Sequence, residues 1–247
     1  MSKLVLAPYV RVGFLEGDLH FGFGSLRQLI RDKQIQNCLL DAAVFLKQPR
    51  FKEEVFSLLQ SSGHESQTIH DSMEILSKKF LIPAWAYDAS ERHSRSFLFY
   101  LLSGAEIGKV QQETSNKKLA VVGCGGIGNV MGALLATAGV GEFILVDEDR
   151  IELSNLSRQI MFKEADCGQY KTAILASELK ERCSSIKISE INAFITSQTV
   201  SLLKDCDFIL VSGDQGNVLD LINTFAIDNE IPFMNVGYVE DIAVWGL

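Results

Sequence analysis

The segment Gly123-Cys124-Gly125-Gly126-Ile127-Gly128 decides the fold prediction, because it fits the spacing G-x-G-x-x-G. It follows the apolar run Leu119–Val122, which predicts a buried strand, and it precedes Asn129–Ala138, which predicts a helix. A glycine-rich turn between a strand and a helix is typical of nucleotide-binding domains. The N-terminus of the helix supplies N–H groups and a positive dipole for a bound phosphate.

The glycines of this motif have separate physical roles. Gly123 permits the tight turn, Gly125 lets a phosphate approach the backbone, and Gly128 lets the helix pack closely on the strand. The acid that ends the next predicted strand, Asp147, follows Gly128 by 19 residues, and its carboxylate can accept both ribose hydroxyl protons. These features are shared by dehydrogenases and ATP-dependent enzymes, so both remain open at this point.

Outward from the motif, predicted strands alternate with predicted helices. The strands are Glu142–Asp147, Ile186–Ile191, Asp207–Ser212 and Pro232–Val236, and the helices are Tyr170–Arg182 and Asn217–Asn229. This alternation predicts an α/β fold with a Rossmann-like, mostly parallel sheet and helices on both faces.

The N-terminal part of the chain has a different pattern. Tyr9–Phe23 predicts a β-hairpin that turns at Gly17. Apolar residues at helical spacing follow from Leu26 onward, and Asp71 is a predicted N-cap for a helix that runs to about Phe80. We therefore predict a small α+β, winged-helix-like module at residues 1–88 and a nucleotide-binding domain at residues 89–247.

Two further predictions concern the start of the second domain. Ser90 is a predicted N-cap for a helix that ends at Gly104, and Gln111–Lys118 is a predicted polar linker.

Composition excludes several classes of function. The 247 residues carry a net charge of −8, which disfavours an electrostatic nucleic-acid binder. The five cysteines form no C-x-x-C pair, so neither a disulfide framework nor a thiolate zinc site is expected within this chain. The sequence contains neither a signal-peptide pattern nor an uncharged apolar run of membrane-spanning length. We therefore expect a cytoplasmic protein.

Polar residues beyond Asp147 favour an ATP enzyme over a dehydrogenase. Asn155, Arg158 and Gln159 come soon after the ribose acid, and Lys171 begins the next predicted helix. Cations that converge on one nucleotide would neutralise a triphosphate and the charge that develops in nucleotidyl transfer. Asp214, just past the end of a predicted strand, suits Mg²⁺, which prefers oxygen ligands.

Five motifs in this order resemble the ThiF/MoeB/HesA superfamily, the adenylating enzymes related to ubiquitin-activating enzyme. The motifs are Gly123–Gly128, Asp147-x-Asp149, Ser154-Asn155-Leu156-x-Arg158-Gln159, Gly168-Gln169-x-Lys171 and Ser212-Gly213-Asp214. Arg92-His93-Ser94-Arg95 resembles the R-Y-x-R helix of that superfamily, with a histidine in place of the usual tyrosine.

A closer resemblance is to the MccB type, the microcin C peptide adenylyltransferases. It rests on the N-terminal module, on Tyr9-Val10, on Arg92–Phe99 and on Asn235–Val244. The resemblance implies that the module is a clamp for a precursor peptide. It also implies that MgATP adenylates a carboxyl group of that peptide with release of pyrophosphate.

The resemblance assigns roles to individual residues. The implied nucleotide-binding residues are Gly123, Gly125, Gly126, Gly128, Asp147, Asp149, Asn155, Arg158, Gln159 and Lys171. The implied catalytic residues are Arg158, Lys171, Asp214 as the magnesium ligand, and Arg95, which would enter the partner's site in a homodimer.

The chain also departs from the superfamily pattern. Relatives usually carry two C-x-x-C pairs for a structural zinc, and this chain has no such ligands. The sequence stops within a predicted strand near Trp245, which leads us to expect a truncated chain. Three alternatives stay open: adenylation of a ubiquitin-like sulfur-carrier protein, a non-catalytic peptide-binding protein, and a nicotinamide dehydrogenase.

Overall fold

A computed structural model describes residues 2–78, 80–87, 90–213, 217–239 and 242–246. The chain forms two compact units, residues 1–107 and 108–247. The helix Ser94–Leu102 falls in the first unit, although the sequence analysis assigned it to the second domain. The predicted start of the nucleotide-binding domain at residue 89 stays a prediction.

The first unit contains a small antiparallel sheet and a group of helices. In chain order its elements are β1 (Leu4–Leu6), β2 (Arg11–Leu15), β3 (Asp18–Gly22), β4 (Gln28–Ile30), α1 (Lys33–Phe45), α2 (Lys52–Ser61), α3 (Ser66–Ser77), β5 (Leu81–Pro83) and α4 (Ser94–Leu102). Strands β2, β3 and β4 form one antiparallel sheet in that order, and β1 pairs with β5. The buried face of β3 is the centre of the core, where Phe21 packs edge-to-face on Phe80 at 5.4 Å between ring centroids.

The predicted hairpin is confirmed. Strands β2 and β3 pair in antiparallel register, and their turn consists of Glu16 and Gly17, which have φ values of 51° and 88°. Two consecutive residues with positive φ are the feature of the tight hairpin turn that matches the twist of the flanking strands.

Several local predictions around this module are wrong. The segment near Leu29, predicted as helical, is strand β4. Helix α1 begins only after it, with Asp32 as an N-cap that accepts from two N–H groups of the first turn. Asp71 lies inside α3 instead of capping it. Helix α4 begins at Ser94 with His93 in the N-cap position, so Ser90 is not its cap.

The second unit has the predicted Rossmann-like architecture. Its elements are α5 (Ile107–Ser115), β6 (Lys118–Val122), α6 (Gly126–Ala138), β7 (Glu142–Val146), α7 (Lys171–Arg182), β8 (Lys187–Ile191), β9 (Phe208–Val211), α8 (Val218–Asp228), β10 (Phe233–Val239) and β11 (Ile242–Gly246). The sheet order is β11-β10-β9-β6-β7-β8, in which only the β10–β11 pair is antiparallel. Helix α5 replaces most of the predicted polar linker.

Separate apolar clusters cover the two faces of this sheet. Val121 and Leu145 pack in one cluster with residues of α6 and α7, and Ala120 and Ile144 pack in the other with residues of α8. The four side chains are at most 4% exposed, which explains why β6 and β7 are almost uninterrupted apolar runs. Within the described residues, no helix is both long enough and apolar enough to cross a bilayer.

Candidate nucleotide-binding site

A cavity of about 490 Å³ lies in the second unit, where β6 and β7 end. Its volume is in the range of small-molecule sites, and the carboxyl ends of parallel strands are where α/β sheets bind ligands. The residues that line it are Val122, Gly123, Gly125, Gly126, Ile127, Val146, Asp147, Glu148, Asp149, Asn155, Arg158, Gln159, Lys171, Ala193, Phe194, Ile195, Ser212, Gly213, Val218 and Gly237.

The glycine loop needs glycine at the two positions where its backbone meets other backbone. Gly123 has a φ of 91°, and a Cβ there would lie 2.7 Å from the Gly213 nitrogen. A Cβ on Gly128 would lie 1.8 Å from the Gly123 carbonyl oxygen, which also accepts a hydrogen bond from Ser212 Oγ at 2.7 Å. These contacts hold the start of α6 against the ends of β6 and β9.

The opposite side of the loop is open to the cavity. A Cβ on Gly125 or Gly126 would approach the protein no closer than 3.8 Å and 3.7 Å, and the nearest atoms belong to Gln159 and Arg158. Gly125 is the N-cap residue of α6, so the N–H groups of the first helical turn lie at this opening. The geometry suits a phosphate group that approaches the backbone.

Asp147 is fixed by the glycine loop itself. Its Oδ2 accepts from the Cys124 N–H at 2.7 Å, and its Oδ1 accepts from the Asp149 N–H at 2.8 Å. Burial raises the pKa of this carboxyl above its ordinary value, and the two backbone hydrogen bonds oppose that rise. Each oxygen has a second lone pair, so the carboxylate can still accept ribose hydroxyl protons.

Lys171 is a buried cation at the wall of the cavity. It is 6% exposed, and its ammonium donates to Asp149 Oδ2 at 2.7 Å. The Asp149 side chain is 47% exposed, so this ion pair has a buried cation and a half-open carboxylate. A carboxylate in contact with solvent can release a lysine to a bound anion at a lower cost than a buried one can.

Asn155 lies in the short helical turn Leu153–Ser157 between β7 and α7, and Arg158 and Gln159 directly follow that turn. Asn155 Oδ1 accepts from the Glu152 N–H at 3.1 Å and thereby shapes the turn. The exposed Arg158 donates to the Ser154 carbonyl at 3.3 Å. Gln159 is 3% exposed, and among the described residues its Oε1 has no hydrogen-bond partner. A buried polar atom of this kind at a cavity wall fits a site that is completed by a ligand.

The structure thus gathers most of the predicted nucleotide-binding residues at one cavity. Gly128 supports the loop from behind rather than lining the cavity. Arg95 lies in α4 of the first unit, and Asp214 lies outside the described residues. The roles given to these residues stay predictions.

Sequence reasoning missed the segment that follows β8. Ala193, Phe194 and Ile195 line the cavity, and the hydroxyl of Thr172 hydrogen-bonds to Asn192 just before them. This hydrogen bond holds the apolar residues 193–195 beside the start of α7. The only signal was the ending of a strand at Ile191, because a ligand contacts the chain at the strand ends of such sheets.

The described side chains that line the cavity carry a net negative charge. Its described lining includes three carboxylates, on Asp147, Glu148 and Asp149, and two cations, on Arg158 and Lys171. Desolvation and the neighbouring carboxylates raise the pKa of Glu148. In the described part of the chain, no three His, Cys, Asp or Glu side chains are grouped as a metal site. A triphosphate bound here therefore needs further positive charge.

Comparison with known proteins agrees with this geometry. The model of the ThiF family matches residues 93–243. Molybdopterin-synthase adenylyltransferase of Escherichia coli is 29% identical over 126 residues, which are 51% of this chain and 51% of that protein. The chain spans about half or less of the length of the curated relatives that it matches. The matched segments make up between 32% and 70% of this chain.

Solved structures of E. coli MccB match over a larger part of the chain. The structure of MccB with ATP has a TM-score of 0.82 and 32% identity, and the match covers 99% of this chain and 73% of that one. The microcin C7 biosynthetic enzyme MccB in complex with N-formylated MccA has a TM-score of 0.82 and 33% identity, with coverage of 99% and 71%. Because the family model covers more than half of the residues and the fold and glycine loop agree with it, the chain belongs to the ThiF family.

Proposed function

We propose that the whole protein is an ATP-dependent adenylyltransferase that activates a carboxyl group of a ribosomally made precursor peptide. The carboxylate would attack the α-phosphate of ATP, an acyl–adenylate bond would form, and pyrophosphate would leave. The observation that carries the proposal is the cavity that places the glycine loop, Asp147 and Lys171 around one volume.

The described residues divide the work of such a reaction. The open side of the glycine loop would receive phosphate oxygens, and Asp147 would accept the ribose hydroxyl protons. Lys171 and Arg158 would offset the repulsion between the carboxylate and the phosphates as the two anions meet. The apolar residues after β8 would cover the base.

The negative balance of the cavity supports two further parts of the proposal. Mg²⁺, with Asp214 as its proposed ligand, would neutralise phosphate charge. Arg95 from the second copy in a homodimer would add a cation from outside the unit. Both would supply positive charge that the described lining lacks. The proposed location is the cytoplasm, where ATP and newly made peptides are both present.

The peptide substrate is supported by the extent of the structural match. The match to MccB covers 99% of this chain and therefore includes the N-terminal unit, and one MccB structure is a complex with N-formylated MccA. The first unit presents β2 as an edge strand whose five residues are all exposed. An edge strand can pair with an extended peptide by adding a strand to the sheet.

A second substrate is favoured by the sequence relatives. They include molybdopterin-synthase adenylyltransferase, which fits activation of a sulfur-carrier protein. A third reading is a peptide-binding protein without catalysis. The three proposals differ in what promotes isotope exchange between pyrophosphate and ATP.

The test is ATP–pyrophosphate exchange with magnesium. Exchange that depends on a short peptide encoded beside this protein's gene supports peptide adenylation. Exchange that depends only on a sulfur-carrier protein replaces the substrate but keeps the chemistry. Peptide binding with no exchange, in a preparation that binds no ATP by calorimetry, contradicts the enzymatic proposal.

A further inference from the structure

The segment 149–171 supplies the cavity side chains that are proposed to contact the phosphates. Backbone hydrogen bonds join the two ends of this segment. The Ile151 N–H donates to the Gln169 carbonyl at 2.8 Å, and the Gly168 N–H donates to the Ile151 carbonyl at 2.8 Å. The Lys171 N–H donates to the Asp149 carbonyl at 3.0 Å. We call these two facing stretches, 149–151 and 168–171, the neck.

One pair of side chains joins the two sides of the neck. Arg150 and Tyr170 face each other as an antiparallel bridge, and the guanidinium carbon of Arg150 lies 3.9 Å from the centre of the Tyr170 ring. Arg150 Nη1 also donates to the Gly168 carbonyl at 2.7 Å. A cation this close to an aromatic face is attracted by the ring, so Arg150 holds the opposite stretch at two points.

The next pair of the neck belongs to the cavity. Asp149 and Lys171, which form the ion pair described above, line the cavity, whereas Arg150 and Tyr170 do not. The stack therefore lies outside the cavity lining, one residue along each stretch from the ion pair, and Tyr170 directly precedes the first residue of α7. A shift of the neck would therefore move the Lys171 ammonium directly.

We propose that the stack of Arg150 on Tyr170 is a latch that holds Lys171 in register with the phosphates. Both residues are positioning residues, and the inference rests on the proposed nucleotide chemistry. A displacement of about 1 Å in a catalytic group can slow a reaction by about 10²-fold, so even a small loss of register at Lys171 should be measurable. Lys171 would act on charge that grows as pyrophosphate leaves, so the effect belongs in kcat more than in the KM for ATP.

The experiment compares Tyr170→Leu, Tyr170→Phe and Arg150→Met in the full chain, with Lys180→Met as the control. Lys180→Met removes an exposed positive charge from the same helix, α7, without touching the neck. The first readout is hydrogen exchange of the Ile151, Gly168 and Lys171 amides without nucleotide. The second is kcat and KM for ATP in pyrophosphate exchange.

We expect Tyr170→Leu to reduce both the protection of the neck amides and kcat by about 2- to 5-fold. Arg150→Met should reduce both by about 10-fold, because it removes a hydrogen bond as well as the cation. The KM for ATP should change less than about 2-fold in either variant. Tyr170→Phe keeps the ring face and should restore both readouts, and Lys180→Met should match the wild type. In the double variant Arg150→Met/Tyr170→Leu, kcat should fall by less than the product of the two single fold-changes, because the two residues form one contact.

The latch is refuted if Tyr170→Leu and Tyr170→Phe behave alike, or if neck protection and kcat per folded molecule stay at wild-type values. A wild-type chain without ATP binding refutes the proposed function. In that case, loss of neck protection in Tyr170→Leu but not in Tyr170→Phe would still show that the stack of Arg150 on Tyr170 stabilises the neck.

Discussion

The six-stranded sheet of the second unit and the three-stranded sheet of the first differ in which part of the strand is available to a ligand. In the second unit, the last four residues of β6 and of β7 are buried, so a ligand meets only the strand ends and the loops that follow. In the first unit, β2 is exposed along all five residues, while its neighbour β3 buries Leu19 and Phe21 completely. The comparison suggests one site for a small, charged ligand and one surface for an extended chain.

The packing explains this difference. A parallel sheet with helices on both faces leaves its open backbone groups and polar side chains at its carboxyl edge. The small antiparallel sheet has helices against only part of its area, and the buried row of Leu19 and Phe21 continues outward into Phe14 and Val12 on β2. Phe14 is 58% exposed although its cross-strand partner Leu19 is fully buried.

The largest predicted effect comes from removing the buried cation of the strand-end site. Lys171→Ala should lower the rate of pyrophosphate exchange by about 10²- to 10³-fold, because a group aimed at developing charge is lost. Its partner Asp149 is half exposed, so water can solvate the freed carboxylate and the fold should remain. The measurement is exchange kinetics together with a thermal melt.

Lys180→Ala is the matched control, since it removes an exposed lysine from the same helix. Equal exchange rates for Lys171→Ala and Lys180→Ala would contradict the placement of Lys171 in the site, provided that both variants melt like the wild type.

The glycine loop gives the next largest effect, and it tests stability rather than catalysis. Gly128→Ala should reduce the free energy of unfolding by about 1–3 kcal/mol or more, because the added methyl would meet the Gly123 carbonyl at 1.8 Å. Gly132→Ala, one helical turn later, should raise it by up to about 1 kcal/mol, because the nearest side-chain atoms lie 3.8 Å away. Chemical denaturation measures both changes, and destabilisation of the same size in both variants would contradict the close loop packing.

These glycines also show why the second unit could be predicted from the sequence. Gly123, Gly128 and Asp147 lie at fixed offsets from two buried strands, and each offset follows from the general geometry of a strand–turn–helix nucleotide-binding unit. Phe194 and Asn192 follow a short, half-exposed strand, and no spacing rule predicts their positions. Only the tertiary fold brings Phe194 to the cavity and Asn192 to its hydrogen bond with Thr172.

The first unit was harder to predict, because its short elements follow no motif with fixed spacing. Strand β4 has only three residues, and the apolar residues Leu26, Leu29 and Ile30 also fit the spacing of a helix. The hairpin was recognised because Gly17 marks its turn. Short elements carry too few residues for their period to decide between a helix and a strand, so tertiary packing decides instead.

A smaller effect is predicted at the exposed strand. Phe14→Ser should weaken binding of a precursor peptide about 10-fold, because an exposed aromatic residue beside an edge strand offers apolar contact area at low entropic cost. Stability should change little, since the side chain is already 58% exposed. Calorimetry with the full chain and a fluorescence melt measure the two quantities.

Val44→Ser is the matched control, because Val44 is 59% exposed on α1 of the same unit. Equal losses of peptide affinity in both variants would point to a general loss of apolar surface, and unchanged affinity in Phe14→Ser would remove β2 from the binding surface.

The smallest predicted effect is a pH dependence of nucleotide affinity that originates at Asp147. Because burial raises the pKa of this carboxyl, it should become protonated at a higher pH than an ordinary aspartate, whose pKa is about 3.9. A protonated carboxyl is a poorer acceptor for ribose hydroxyls, so ATP affinity should fall a few-fold as the pH decreases through the raised pKa. Stability linked to this group changes in the opposite direction: it is fully present below the unfolded-state pKa and is lost as the pH rises through the folded-state pKa.

An ATP analogue without the 2′ and 3′ hydroxyls separates this effect from titration of the phosphates, which both nucleotides share. The difference in binding free energy between ATP and the analogue should be largest near neutral pH and should shrink in acid. A difference that stays constant from neutral pH down to the ordinary pKa of an aspartate, about 3.9, would show that Asp147 does not hold the ribose. The strand-end site would then hold a nucleotide through its phosphate and base contacts, without the ribose acid.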